Sequence, residues 1–189
     1  PSDRGSLRWG QAFSNATGWR LVLGLNSMYG RAAGGAWDPT VSLEMLSYMQ
    51  AQGANIFGVE LGNEPDLYSF ENHSITPPFK PTVAMTQLAA DFGTLRGLLD
   101  SRGMQHVELL GPDLSSGRSG AIADLLEFSN AAADPRAPSM LTWHHYNGDA
   151  KGFYCGKADG KESCGPHELS NASLLDAWYN AKPWLDSFL

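Results

Sequence analysis

"DPTVSLEMLSYMQAQGANIFGVELGNEP", residues 38–65, holds a helix, a strand and a polar turn in succession. Asp38 is placed to cap a helix, Pro39 suits its first turn and Gly53 its end. Residues 55–61 then run nearly continuously apolar, as a strand covered on both faces does. Where that strand finishes, Asn63, Glu64 and Pro65 set an amide, a carboxylate and a rigid ring side by side.

The unit repeats along the chain. Strand-like runs recur at 20–25 (RLVLGL), 106–110 (HVELL) and 140–146 (MLTWHHY). "TVAMTQLAADFGTLRGLLDSRG" predicts a helix with Leu88, Phe92, Leu95 and Leu99 on one stripe, stopped by Gly103. "SGAIADLLEFSNAAA" predicts another, its stripe Ile122, Leu125, Leu126 and Ser129, and "ASLLDAWYNAKPWLDSFL" a last one interrupted at Pro183. Such alternation implies parallel strands joined by right-handed crossovers, an α/β fold. Doubly wound sheets and (β/α)8 barrels share that pattern. Chemistry at the strand ends favours the barrel, whose sites are built on the C-terminal rim: Asn26, then Asn63 and Glu64, then Asp113, then His144 to Tyr146. A nucleotide-binding sheet needs G-x-G-x-x-G between strand and helix, and "GLNSMYGRAAGG" lacks that spacing. Residues 1–189 are therefore expected to form one domain, a central part of a (β/α)8 TIM barrel with about four β/α units.

With 42% hydrophobic and 11% aromatic residues, 189 residues can bury a sizeable core. The net charge is −7, from 20 acidic and 13 basic residues, without a Lys/Arg block, which excludes the footprint of a nucleic-acid binder. No run approaches the roughly 18 apolar residues of a membrane span, and "PSDRGSLRWG" is not laid out as a signal peptide. Sequons at Asn15, Asn72 and Asn171 are compatible with glycosylation in a secretory compartment. Cys155 and Cys164 flank a Gly- and Lys-rich loop and are expected to close it as a disulfide. No cofactor and no metal site are expected, since His and Cys pairs at zinc-ligand spacing are missing there.

Glycoside hydrolysis needs one carboxyl group to protonate the leaving oxygen and a second carboxylate across the sugar. Glu64 fits the acid, with Asn63 beside it to hold a hydroxyl or the attacking carboxylate and Pro65 to stiffen the turn. The plain alternative is a surface glutamate that follows a strand. Glu60 is not its partner if the strand continues: at about 3.3 Å per residue the two lie roughly 13 Å apart, beyond the roughly 5–9.5 Å of catalytic pairs. Glu60 is expected inside the barrel with a partner such as His144, whereas the direction of Asp66 is unreadable beyond Pro65. In "WHHY", 143–146, the adjacent histidines point to opposite faces, so His144 and His145 do not chelate one ion. His144 and Tyr146 share a face, suited to sugar hydroxyls or a carboxylate, or else to a packed aromatic cluster.

From about Trp9 onward, "VLGLNSMYGRAAGGAWDPTVSLEMLSYMQAQGANIFGVELGNEPDLYSF", "LLGPDLSSGR" and "LTWHHYNG" together resemble successive barrel segments of the heparanase-like enzymes of glycoside hydrolase family 79. The resemblance implies a (β/α)8 barrel that hydrolyses β-glucuronosidic bonds with retention, in secreted or lysosomal glycoproteins with or without membrane association. It implies Glu64 as general acid/base, Asn63 beside it at the sugar, His144 and Tyr146 as walls near the nucleophile, and Asp113 and Arg118 at the cleft. The implied partner is a glucuronic-acid-containing glycan or proteoglycan, with no nucleic acid and no transmembrane segment in this stretch.

Two departures from the family pattern stand out. The family's nucleophile is a glutamate in a "GE" context on a later strand; Glu162 and Glu168 precede the last helix and do not match it. A whole barrel takes roughly 250 residues, so a central piece is expected, with uncovered strand edges, and to fold poorly alone. The basic run that the resemblance implies after G-P-D is reduced here to Arg118, so a less sulfated glucuronide is as much the expected substrate as heparan sulfate. The competing reading is a non-catalytic, glycan-binding relative on the same fold. A cellulase-like N-E-P enzyme of the same clan is not expected to share the G-P-D and W-H-H-Y set.

Overall fold

The computed structural model describes residues 4–28, 31, 35–68, 83–115 and 121–144. The elements run α1 (Arg4–Thr17), β1 (Leu21–Leu25), α2 (Thr40–Ala51), β2 (Ile56–Leu61), a 3-10 turn (Pro65–Leu67), α3 (Met85–Ser101), β3 (Glu108–Leu114), α4 (Ala121–Ala131) and β4 (Met140–Trp143). The four strands form one parallel sheet in the order β1-β2-β3-β4. Among the described residues, sequence-neighbouring strands are thus spatial neighbours, with no point at which strand order reverses. A doubly wound sheet is defined by such a reversal. The α/β class expected from the alternation is observed, and the sequential order is compatible with one sector of a barrel.

Helices α2, α3 and α4 share one apolar cluster with the sheet. Leu46 and Met49 of α2, Leu88, Phe92, Leu95 and Leu99 of α3, and Leu125 and Phe128 of α4 pack with Leu25, Val59, Leu61, Leu109 and Leu114 of the strands. Each fully buried side chain of this kind contributes about 1.5–3 kcal/mol relative to exposure. Phe92 meets Phe128 edge to face, centroids 5.2 Å apart, and locks α3 to α4. The edge strands keep apolar side chains in the open: Val22 is 45% exposed and Leu141 46%.

Local signals account for most element ends. The Asp38 carboxylate accepts the Thr40 N–H at 2.9 Å just ahead of α2, but the expected cap is corrected by one residue: Pro39 holds the cap position and regular helix begins at Thr40. Gly53 and Gly103 end α2 and α3 with φ of +70° and +72°, where other residues are strained. The stripe expected on α4 is corrected: Leu125 and Phe128 are buried, whereas Leu126 is 41% exposed and Ser129 also faces out. The side chain of Ile122 lies outside the described residues. The third strand is corrected as well, since it starts after His106 and carries Gly111, Pro112 and Asp113 within it rather than beyond it.

Helix α1 was not expected. Two glycines and scattered aromatics blur its pattern; Leu7 packs against the core cluster, Arg8 Nε donates to the Tyr48 hydroxyl at 3.4 Å, and Gln11 donates to the Gln52 carbonyl. Asn15 is exposed in its last turn. The other two sequons, Asn72 and Asn171, the cysteines Cys155 and Cys164, and the last predicted helix lie outside the described residues.

Candidate active site

Three of the predicted side chains converge at the C-terminal ends of β2, β3 and β4. Glu64 follows β2, Asp113 lies near the end of β3, and His144 follows β4. The His144 ring sits between the two acids. Its Nδ1 is 2.7 Å from Glu64 Oε1 and its Nε2 is 3.2 Å from Asp113 Oδ2. Backbone bonds fix the three segments: the Glu64 N–H donates to the Asp113 carbonyl at 2.9 Å, and the His144 N–H to the Leu114 carbonyl at 2.8 Å. The Asp113 N–H donates to Thr142 Oγ1 at 3.1 Å.

Glu64 and Asp113 share a second property. Among the described residues they are the non-glycine positions with positive φ, +48° and +57°. A left-handed conformation costs a residue with a Cβ roughly 1–2 kcal/mol, and outliers of this kind concentrate where geometry serves function. Both strained residues are acids, and both aim at one imidazole.

The turn that carries Glu64 is braced from below. Gly62 has φ +100° and its N–H donates to the Leu25 carbonyl at 2.9 Å. A Cβ there would lie 2.5 Å from Ser27 Oγ and 2.9 Å from the Tyr68 hydroxyl, so glycine is required. Tyr68 in turn shares a 2.8 Å hydrogen bond with Ser27 and accepts the Asn63 N–H at 3.2 Å. Buried Asp66 accepts the Ser115 N–H at 3.1 Å and its hydroxyl at 2.7 Å, which ties the 3-10 turn to the end of β3. Pro65 is buried, and Asn63 is exposed beside Glu64. Asn26, the residue expected at the first strand end, closes its own turn by accepting the Met28 N–H at 3.0 Å.

Protonation is perturbed in one direction across the cluster. Burial, reinforced by the charge of Asp113 and partly offset by His144, raises the Glu60 carboxyl above its ordinary value. Burial also raises Asp113; His144 opposes this and the charge of Glu64 adds to it. Burial disfavours the His144 imidazolium, yet the hydrogen bond to Glu64 and the charge of Asp113 outweigh it and raise the histidine.

The structure corrects two expectations about Glu60. His144 spends its ring nitrogens on Glu64 and Asp113, so its influence on Glu60 is electrostatic. The extended-strand separation of Glu60 from Glu64 does not apply either, because regular strand stops at Leu61 and Glu64 adopts a left-handed turn. The Glu64–Asp113 gap is occupied by the imidazole, which leaves no room for the sugar or water that separates a catalytic pair. Arg118 and Tyr146 lie outside the described residues, as does His145. Sequence spacing gave no signal for the bracing by Ser27 and Tyr68, or for Thr142. Among the described residues no group of three or more His, Cys, Asp or Glu side chains is placed to hold a metal ion, and no helix is long and apolar enough to cross a membrane.

A parallel sheet in sequential order with a carboxylate–histidine–carboxylate cluster on its C-terminal rim places the chain in the class of α/β proteins that carry their chemistry at strand ends. Comparison with known proteins narrows that class. The chain is 34% identical over 135 residues to heparanase of Gallus gallus, an alignment that takes in 71% of this chain and 24% of that protein. The chain belongs to the heparanase-like family. It spans about a quarter of the length of that relative. No family model matches it.

Proposed function

We propose that this chain is the acid/base-bearing part of a retaining, heparanase-like glycoside hydrolase that cleaves β-glucuronosidic bonds in glycans or proteoglycans. The observation that carries the reading is the placement of Glu64, strained, half-buried and hydrogen-bonded to His144, at a strand end of a chain 34% identical to a heparanase. Glu64 protonates the glycosidic oxygen as the bond to the anomeric carbon breaks. It then takes a proton from the water that releases the sugar. Asn63, exposed next to it, holds a sugar hydroxyl, and Arg118 and Tyr146 belong to the same cleft on the family pattern.

The second carboxylate lies, on this reading, outside the described residues, as the family's later "GE" strand implies. A closed (β/α)8 barrel with its site on the C-terminal rim accounts for the sequential strand order and for the open apolar residues of the edge strands. The net charge of −7 favours a weakly sulfated glucuronide over a densely sulfated chain. Secretion or lysosomal residence, with glycans on Asn15, Asn72 or Asn171 and a Cys155–Cys164 disulfide, belongs to the same proposal.

The test is product release from a glucuronic-acid-containing oligosaccharide by the full-length protein. New reducing ends, lost on Glu64→Gln, are expected. Binding of the oligosaccharide without any release would instead identify a non-catalytic glycan-binding relative.

A further inference from the structure

We infer that Asp113 is a positioning residue that acts on Glu64 through the His144 ring, rather than a residue that binds substrate. The inference rests on the reading of Glu64 as the acid/base and goes on to name what governs it.

The geometry leaves Asp113 committed inward. Its carboxylate faces His144 Nε2 at 3.2 Å, its N–H is held by Thr142 and its carbonyl accepts the Glu64 N–H. Its side chain is buried, and its backbone is held in a left-handed conformation in the course of a strand. An exposed substrate contact needs none of these constraints. An ring that must point one nitrogen at each of two acids needs both acids fixed.

Proton bookkeeping shows what the arrangement does. A neutral imidazole donates from one nitrogen only. Contacts from both nitrogens to carboxylates therefore require an imidazolium or a proton on one of the acids. With Asp113 accepting from Nε2, the tautomer is fixed and Nδ1 is turned toward Glu64. When the Nδ1–H bond breaks and an O–H bond forms on Glu64 Oε1, the ring is left neutral with its remaining proton on Nε2, still donated to Asp113. Glu64 thus gains a proton, the ring loses one, and nothing enters from solvent. The charged groups facing His144 among the described residues are Glu64 after β2 and Asp113 on β3, with Glu60 of β2 close enough to feel the ring. All act on the same proton inventory, so the alkaline limb of the activity profile, where the proton donor is lost, depends on Asp113.

Asp113→Asn is the informative variant, because asparagine tolerates a left-handed backbone as aspartate does. Should it fail to fold, Asp113→Gly, free of strain at φ +57°, takes its place. In the full-length protein kcat/KM is measured against pH on two aryl glucuronides, one whose phenol is a poor leaving group and one whose phenol leaves unaided. Asp113→Asn is expected to lower kcat on the poor leaving group by about 10- to 100-fold, a share of the roughly 10²–10⁴ of general acid catalysis. KM and the rate on the activated substrate stay nearly unchanged, and the pH profile moves. A rise in KM, equal on both substrates and with the profile in place, would make Asp113 a substrate-binding residue and overturn the inference. Glu64→Gln, run in parallel, keeps the two claims apart: equal loss on both substrates would remove Glu64 from the acid role, whatever Asp113 does.

Discussion

Arg96 and His144 are both polar side chains deep in contact with their neighbours, and they are handled in opposite ways. Arg96, on the helix side of the sheet, is 3% exposed and gives its guanidinium to Asp100 at 2.8 Å, the Val107 carbonyl at 2.7 Å and the Met104 carbonyl at 3.0 Å. Its charge never changes, its backbone is helical, and the clamp closes the loop between α3 and β3. His144, at the strand-end rim, sits between two acids on strained backbone and binds a proton that can be handed on. One region commits its polar groups to a single arrangement; the other keeps one proton in play among several. Stability resides in the first and chemistry in the second.

That contrast makes loss of Glu64 the largest expected effect. On the function proposed above, Glu64→Gln is expected to lower turnover of unactivated glucuronides by about 10²–10⁴-fold, with a melting temperature close to that of the parent in a thermal scan. On the helix side the effect inverts. Phe92→Ala empties the space against Phe128 and the close approach at Gly111, and costs about 3–5 kcal/mol in chemical denaturation. Activity per folded molecule is retained. Arg96→Met takes the guanidinium donor from the buried Val107 carbonyl, while the Met104 carbonyl keeps the Val107 N–H at 3.1 Å, for about 1–3 kcal/mol by the same method and no expected change in the pH profile of any activity.

The pH dependence of stability sharpens the comparison from the rim. Glu60, Asp113 and His144 all have raised pKa values in the folded chain. The native state therefore holds more protons than the unfolded one, and stability from this cluster is fully present at low pH. It falls as pH rises from the ordinary carboxylate range through the raised value of His144. Melting temperatures across about pH 4–9 are expected to show that fall, and to show it shallower in Asp113→Asn. The smallest effect belongs to the surface. Arg136, 56% exposed beside Asp134 and Asp100, can be replaced by alanine with no resolvable change in either melting temperature or activity.

Legibility in the sequence followed the same division. Caps, glycine stops and a four-residue apolar stripe are local signals, so α2, α3, β1 and β2 were readable, as was Glu64 at a strand end. The α4 stripe was misread because Leu126, apolar but exposed, fits a helical pattern as well as Phe128 does. Helix α1 went unseen because two glycines and scattered aromatics break up its apolar pattern, of which Leu7 packs on the core while Arg8 and Gln11 reach Tyr48 and Gln52. At the rim the residues were identifiable but their mutual geometry was not. Glu64 and His144 are 80 positions apart, and the extended-strand rule failed where Glu64 turns left-handed. Asp66, two residues beyond Glu64, turns inward to Ser115 for a reason visible only across that fold.

The acid role of Glu64 is tested most directly by how leaving-group basicity governs the loss caused by Glu64→Gln in the full-length protein. Across a series of aryl glucuronides, the ratio of parent to variant kcat/KM is expected to climb steeply as the phenol becomes more basic. A ratio independent of the phenol would contradict proton donation by Glu64.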